Sequence, residues 1–488
     1  MQPQRATQPD RTLRFAVIGA GMAGILAAIR LSERGHDAVT VYEKGGTVGG
    51  TWRENTYPGL ACDVPSQLYS YSFAPNPDWT HPYSPGPQIQ QYFERVAADY
   101  GVVARTRFND EVTSLRWDGT AWQLTTAAGH RDVVDVVIAA TGVLHHPNVP
   151  VIEGLDSFEG HCFHSARWDH AVTIDNARVG IVGTGSTGVQ IISAIRDRVD
   201  ALVVFQRTPQ WVLPMPNDPF GPELLERHQD LDLLRATHAK LSELFGKFSN
   251  AVIDADSPEA AMIGQACLDN LETNVRDPAL RERLRPDYRA ACKRLIASPD
   301  YYDAMQASTV ELVTDPIVGV EPEGVRTADD RLHELDVLVL ATGFHADWFV
   351  RPMQVVGRDQ RTIDDFWTPR PLAYLSMTVP GFPNLFMING PNGPVGNFSL
   401  IEVAEYQFAY VDQLLDRLRN GAATIEPRLD ATEALEAERV AASRQSVWVT
   451  GCRSWYLDDR GVPATWPWTF DRFREVMAEP DWSAYAVT

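Results

Sequence analysis

Apolar residues fall into two registers near the start of the chain, and the same pair of registers returns later. Phe15–Ile18 is a short unbroken apolar run, the pattern of a strand buried on both faces. The following residues 22–35 place apolar side chains at helical spacing, and AVTVYEK (38–44) is a second buried run. RVGIVG (178–183), the helix-period stretch after it, and ALVVFQR (201–207) repeat this strand, helix, strand order. Between the two copies, QIQQYFERVAADYG (88–101) reads as an amphipathic helix. Residues 107–129 alternate apolar and polar around turn glycines, which predicts a β-meander, and 132–144 hold another buried strand. Residues 218–306 are mostly helical in period. Residues 309–330 return to strands, 335–344 form a buried strand, and 382–415 read as strand, Gly-Pro loop and long helix.

This order predicts an α/β chain with two Rossmann-like dinucleotide-binding domains and a helical insertion at about 218–306 in the second. The first domain is expected to be discontinuous, 1–150 and 376–488, and the second to span 151–375. The insertion is expected to wall a substrate pocket, and residues 1–12 to be disordered. Ala-Thr-Gly at 140–142 and again at 341–343 ends a buried strand in each half.

Composition narrows the class. At 488 residues two or three domains are expected, and the net charge of −21 speaks against nucleic-acid or anionic-membrane partners. No uncharged apolar run is long enough for a transmembrane segment and the N-terminus has no apolar leader core, so a cytoplasmic location is expected. Cys62, Cys162, Cys267, Cys292 and Cys452 form no C-x-x-C pair and are expected to be free thiols, with no metal site.

The chemistry sits at the two glycine turns. Gly19, Gly21 and Gly24 give G-x-G-x-x-G, with Met22 and Ala23 opening the helix whose N–H groups face a pyrophosphate. Glu43 follows at the end of the second strand, where a carboxylate accepts ribose hydroxyls. Gly183, Gly185 and Gly188 repeat the motif, but Arg207 stands where the acid would be. An arginine there suits a 2′-phosphate, so the first site reads as FAD and the second as NADPH/NADP+. Residues 44–73 are a loop rich in aromatics that needs a surface to pack on, a flat ring system being one. A helix N-terminus beside Asn389-Gly390-Pro391 is expected to aim its dipole at such a ring. The Trp-rich tail, 447–477, reads as a cap or pocket wall.

Between the two turns lies Phe158-x-Gly160-x-x-x-His164-x-x-x-Trp168-Asp169. This stretch fills every fixed place of the F-x-G-x-x-x-H-x-x-x-W-[PD] fingerprint, and the chain from about 13 to 475 resembles the type I Baeyer–Villiger monooxygenases, class B flavoproteins related to the flavin-containing monooxygenases. The resemblance implies an enzyme that inserts one oxygen atom of O2 beside a ketone carbonyl to give an ester or lactone, through a C4a-peroxyflavin. It implies catalytic places for Asp63, in the YPGLACD loop, and Arg294, in the CKR segment. It also implies FAD contacts at Gly50, Thr51, Trp52, Asp63, Tyr69 and Val112. The NADP contacts implied are Gly183, Thr184, Gly185, Ser186, Thr187, Gly188, Gln190, Arg207, Thr208, Lys293 and Arg294. Phe158, Gly160, His164, Trp168 and Asp169 are expected to couple the domains from a linker.

Two features depart from the family pattern: His345 follows Ala-Thr-Gly-Phe where Asp is common, and the GCRSWY tail (451–456) differs from the cyclic-ketone enzymes, so its pocket contact is not carried over. The alternatives are an N- or S-oxygenating flavin monooxygenase, with sulfide as a second substrate class, and an NADPH-flavin reductase or oxidase without oxygen transfer. The ketone and the oligomeric state stay open.

Overall fold

A computed structural model describes residues 12–396 and 398–488. The stretch expected to be disordered lies outside the described residues except for Thr12. Two five-stranded parallel sheets organise the chain. In the first, the strands run in the order Leu385–Met387, Val136–Ala139, Phe15–Ile18, Val39–Tyr42 and Thr106–Arg107. In the second the order is Val310–Val313, Ala201–Phe205, Arg178–Val182, Val337–Leu340 and His161–His164.

Each glycine-turn strand is central and buried on both faces, which is why it reads as a continuous apolar run. Phe15 and Val17 face a core shared with helices Met22–Glu33 and Leu400–Arg419. Ala16 and Ile18 face a second core built with the meander strands. That meander, Val112–Trp117, Trp122–Thr126 and Arg131–Val134, is antiparallel and gains a fourth strand, Gln354–Val356, parallel to Val112–Trp117. Residues Val350, Met353, Val355, Ile363, Trp367 and Ala373 pack in this same core, although the sequence pattern puts them with the second nucleotide unit.

The helical insertion contains Leu231–Phe248, capped by the Asp230 carboxylate, and Pro258–Asn274, capped by the Ser257 hydroxyl. It bridges the two halves. Leu241 and Phe245 of the first helix pack on the core of the first sheet, and Ser242 donates to Glu402 of the long helix. Leu271 of the second packs in the core of the second sheet. Among the described residues no helix is long and apolar enough to cross a membrane.

Candidate active site

The two glycine turns face one cavity of about 1170 Å³. That exceeds the roughly 300–1,000 Å³ of a usual small-ligand pocket. On the first side Gly19, Gly21, Met22 and Ala23 line it, together with Glu43, Gly50, Thr51, Trp52, Asp63, Tyr69 and Val112. On the second side it is lined by Gly183, Thr184, Gly185, Ser186, Thr187, Gln190, Arg207, Thr208, Lys293 and Arg294. Gly24 and Gly188 do not line it. Each lies under its turn, where a Cβ would collide with the carbonyl oxygen of Gly19 or Gly183, so these glycines let helix close on strand.

The residues present fit two dinucleotides. The backbones of Gly21 and Gly50 meet so closely that a Cβ on Gly50 would stand 2.9 Å from the Gly21 Cα, which keeps the first turn bare for a bulky anion. Oε2 of Glu43 accepts the Ala20 N–H at 2.8 Å, while Oε1 takes Gly45 N–H and Arg53, each at 2.7 Å. Oε2 therefore keeps an acceptor position for a ribose hydroxyl. Among the described residues His145 Nε2, Asn389 Oδ1 and Ser454 Oγ are buried without hydrogen-bond partners, and all three residues line the cavity.

On the second side two cations stand together. Lys293 has its ordinary pKa lowered, first by burial and then by the charge of Arg207. Its ammonium lies 4.9 Å from the Tyr288 ring centroid. Neither Lys293 nor Arg207 makes an ion pair among the described residues. A bound phosphate dianion would relieve that repulsion.

One polar pair joins the halves. Arg294 donates from Nε to Asp63 Oδ2 at 3.2 Å, and from Nη2 to the same oxygen. The side chains are 31% and 26% exposed, so the pair is held within the protein yet open to the cavity. The Asp63 charge raises the Arg294 pKa against the opposing effect of burial, so the guanidinium stays protonated at any working pH. The loop that presents Asp63 is clasped from the second half. The Tyr57 hydroxyl donates to Gln190 Oε1 at 2.9 Å and Gln190 Nε2 donates to the Ala61 carbonyl at 2.9 Å. Both ends of the Gln190 amide are thus occupied by the loop. Beside Asp63, burial pushes the Cys62 thiol well up, which leaves it un-ionised.

None of the five fingerprint residues lines the cavity, and His164 lies in a strand rather than in a free linker. His161–His164 is the edge strand of the second sheet, paired with Val337–Leu340. The Phe158 ring covers Gly160, where a Cβ would lie 2.6 Å from the ring and 2.5 Å from the Asp336 carbonyl. His164 Nδ1 accepts the Ala166 N–H at 3.1 Å, so Nε2 carries the proton and donates to the Gly343 carbonyl at 3.0 Å. Burial lowers the His164 pKa, which keeps that neutral tautomer. Trp168 packs edge-on against Phe163 at 5.1 Å, and Asp169 accepts the Ala171 N–H at 2.9 Å.

Two further expectations are corrected in part or whole. The insertion walls the cavity only through its C-terminal segment, with Lys293, Arg294 and Ile296, and no lining residue falls between Gln210 and Lys293. The long helix begins at Leu400, and its first turn lies beside Asn389, whose Nδ2 donates to the Leu400 carbonyl at 3.5 Å; both residues line the cavity. Cys292 and Cys452 are not free thiols: they form a disulfide across 160 residues, while Cys62, Cys162 and Cys267 are free. The pairing was invisible in the spacing because the fold brings the tail back over the CKR segment. Closing so long a loop restricts the unfolded chain, and Cys452→Ser is expected to cost on the order of 2–5 kcal/mol of stability. Denaturant unfolding with and without a thiol reductant checks this, since reductant should destabilise the native protein and leave the variant unchanged.

The motif reading did not single out His145, which lies 3.0 Å from Lys44, nor Tyr57, Phe398 and Trp455, all of which line the cavity. His345, the departure from the family pattern, stacks on Trp348 with ring centroids 4.4 Å apart.

Comparison with known proteins agrees with this geometry. Residues 12–228 match the flavin-binding monooxygenase-like family. A Baeyer–Villiger monooxygenase of Streptomyces coelicolor is 38% identical over 98% of this chain and 93% of its own. An uncharacterized monooxygenase of Mycobacterium tuberculosis is 47% identical over 95% of this chain and 94% of its own. The crystal structure of cyclohexanone monooxygenase from Rhodococcus sp. Phi1 bound to NADP+ superposes with a TM-score of 0.87 at 30% identity, covering 98% and 99% of the two chains. With similarity running through nearly its whole length, the chain is a flavoprotein monooxygenase and belongs to the Baeyer–Villiger monooxygenase family.

Proposed function

We propose that this enzyme oxidises a ketone to an ester or lactone with Arg294 as the fixed cation of the reaction and Asp63 as the group that orients it. Ketone, O2, NADPH and a proton become ester, NADP+ and water. FAD, when bound, supplies the redox and oxygen-activating chemistry, and NADPH supplies the hydride. The observation that carries the reading is the Arg294–Asp63 pair, open to the cavity where the two glycine turns face each other. Negative charge develops on oxygen during the transfer. A guanidinium already in place stabilises it without reorganisation. Asp63 aligns the guanidinium by a charge-assisted pair. Tyr69, Trp52 and Phe398 add apolar wall that limits water.

The residues around Gly19–Gly24, Glu43 and Gly50–Trp52 would hold FAD. Those around Gly183–Gly188, with Arg207, Thr208 and Lys293, would hold NADP(H). We assign the first unit to 1–150 plus the C-terminal part of the chain and the second to the segment between. The return crossing lies before Val350, because Gln354–Val356 pairs with the first unit. The location we infer is the cytoplasm, the compartment that supplies NADPH. The Cys292–Cys452 bond is uncommon there.

His164 ties the edge strand of the second sheet to the Gly343 carbonyl, where the chain turns back towards the first unit. We assign it the coupling of the two units. His164→Ala is expected to leave FAD bound and lower NADPH-linked turnover about five- to tenfold, the effect of a displaced hinge. Unchanged turnover at saturating NADPH and ketone would remove that role.

The function is tested by incubating the purified enzyme with NADPH, O2 and a panel of linear, cyclic and aryl ketones, with products identified by mass spectrometry. Esters or lactones are expected. Peroxide in full stoichiometry with every ketone, or oxygenated sulfides and amines alone from a parallel panel, would overturn it.

A further inference from the structure

We propose that Gln190 and Tyr57 are positioning residues for Asp63, a clasp through which the helix that opens at the second glycine turn sets the carboxylate that holds Arg294. The proposal rests on the reading of Arg294 as the reaction's cation and of Asp63 as the group that orients it. Its starting point is how little holds Asp63 itself. Among the described residues the Asp63 carboxylate hydrogen-bonds to Arg294 alone, through Oδ2. Its place is therefore set by its backbone, and the backbone by the loop that carries it.

That loop belongs to both halves at once. Its first part packs on the second half. Tyr57 is buried in the core of the second sheet with Val189 and Ile192 of helix Ser186–Ile195, and Leu60 packs against the same core. Gly59, at a φ of +80°, lies so close to this helix that a Cβ would stand 2.4 Å from the Gln190 carbonyl oxygen and 2.9 Å from the Ala194 Cβ. The second part of the loop is fixed to the first half. The Cys62 N–H donates to the Ser84 carbonyl at 3.0 Å and the Gly86 N–H to the Leu60 carbonyl at 2.8 Å. Cys62 and Val64 are buried in the core of the first sheet. Asp63 stands where these two attachments meet, and the Gln190 amide bridges them. Its Oε1 accepts the Tyr57 hydroxyl and its Nε2 donates to the Ala61 carbonyl, each at 2.9 Å. One side chain thus grips the loop at 57 and at 61, two residues short of Asp63. The resemblance to the family implies an NADP contact for Gln190, yet both ends of its amide serve the loop. A catalytic constellation misplaced by about 1 Å can lose about 10² in rate, so a loop released at both points would misalign the guanidinium through Asp63.

The test is Tyr57→Phe and Gln190→Met in the FAD-loaded enzyme. The first removes only the hydroxyl, and the second keeps the length of the side chain while removing both polar ends. The expected result is a loss in kcat for ester formation of about three- to tenfold in Tyr57→Phe and at least about tenfold in Gln190→Met, the effects of one and of two hydrogen bonds. Peroxide released per NADPH consumed is expected to rise in step. The ketone KM and the NADP+ dissociation constant should stay within about twofold of the parent in both variants. Because the two substitutions break one clasp, the double variant should lose no more than Gln190→Met alone. Ester formation and peroxide yield within about twofold of the parent in both variants would overturn the proposal. So would a loss of NADP+ affinity in Gln190→Met with Tyr57→Phe like the parent, the mark of a direct cofactor contact. Arg294→Ala measured alongside separates the two readings. If that variant still makes ester, the reading of Arg294 fails, while a crystal structure of Gln190→Met still decides the clasp: Asp63 displaced supports it, and Asp63 in its parent place overturns it.

Discussion

Arg294→Ala is expected to lower kcat for ester formation by about 10²–10³, the usual loss when one preorganised stabiliser of developing charge is removed. The reason is local. Arg294 reaches the cavity from a segment fastened to the tail, and its charge is guaranteed by Asp63 rather than by solvent. Alanine removes the charge and leaves the Asp63 carboxylate, 26% exposed, facing the same chamber. A carboxylate there repels the negative charge that the arginine would have attracted, so the loss exceeds that of a neutral vacancy. Arg294→Lys is expected to recover little, because an ammonium cannot reproduce the paired Nε and Nη2 bonds by which Asp63 holds the guanidinium. Asp63→Ala should be milder than Arg294→Ala, since it releases the cation without deleting it. Ester yield per NADPH at saturating ketone checks the series. Arg294→Ala within fivefold of the parent would show that the charge is supplied elsewhere.

Much of this arrangement can be read from local sequence because its physics is local. A turn, a buried strand and a helix start lie within ten residues of one another, so the G-x-G-x-x-G stretches announce both cradles, and Glu43 against Arg207 distinguishes them. The fingerprint is local only in part: Phe158 covers Gly160 two residues on, whereas His164 reaches the Gly343 carbonyl across 179 residues. What stays hidden depends on long closures. Cys292 and Cys452 are 160 residues apart, and no spacing rule pairs them. Asp63 and Arg294 are 231 residues apart, and only family resemblance suggested that they meet. Trp455 reads as one aromatic among many in the tail, yet the fold brings it to the cavity. The helical insertion shows the converse. Its period is plain, but period says nothing about which surface a helix covers. Buried contacts carry Leu241 and Phe245 to the first core and away from the cavity.

Arg207→Ala is expected to raise the NADPH dissociation constant by about 10–10², the range for losing a charge-assisted contact to phosphate, and to change NADH binding by less than threefold. The selectivity arises from repulsion already present in the protein. Lys293 is held below its ordinary pKa by burial and by the charge of Arg207. A 2′-phosphate dianion converts that unfavourable pair into two favourable ones, and NADH, lacking the phosphate, gains nothing from them. The sign of the pH dependence follows. The free enzyme binds the Lys293 proton more weakly than an ordinary lysine does, and bound phosphate strengthens that binding, so NADPH binding is tightest where Lys293 is already protonated. Affinity is therefore full below the lowered pKa and falls as pH rises through it, in a range beneath that of an ordinary lysine. Arg207→Ala removes the repulsion, so the same decline should move to higher pH even as overall affinity drops. Lys293→Met should abolish the pH-dependent part and leave NADPH binding flat across that range. Dissociation constants for NADPH and NADH, measured by calorimetry on the FAD-loaded enzyme over pH 7 to about 10, bracket the lysine range and separate these outcomes. A parallel loss of NADH affinity in Arg207→Ala would mean that the arginine holds the shared part of the cofactor and not the 2′-phosphate.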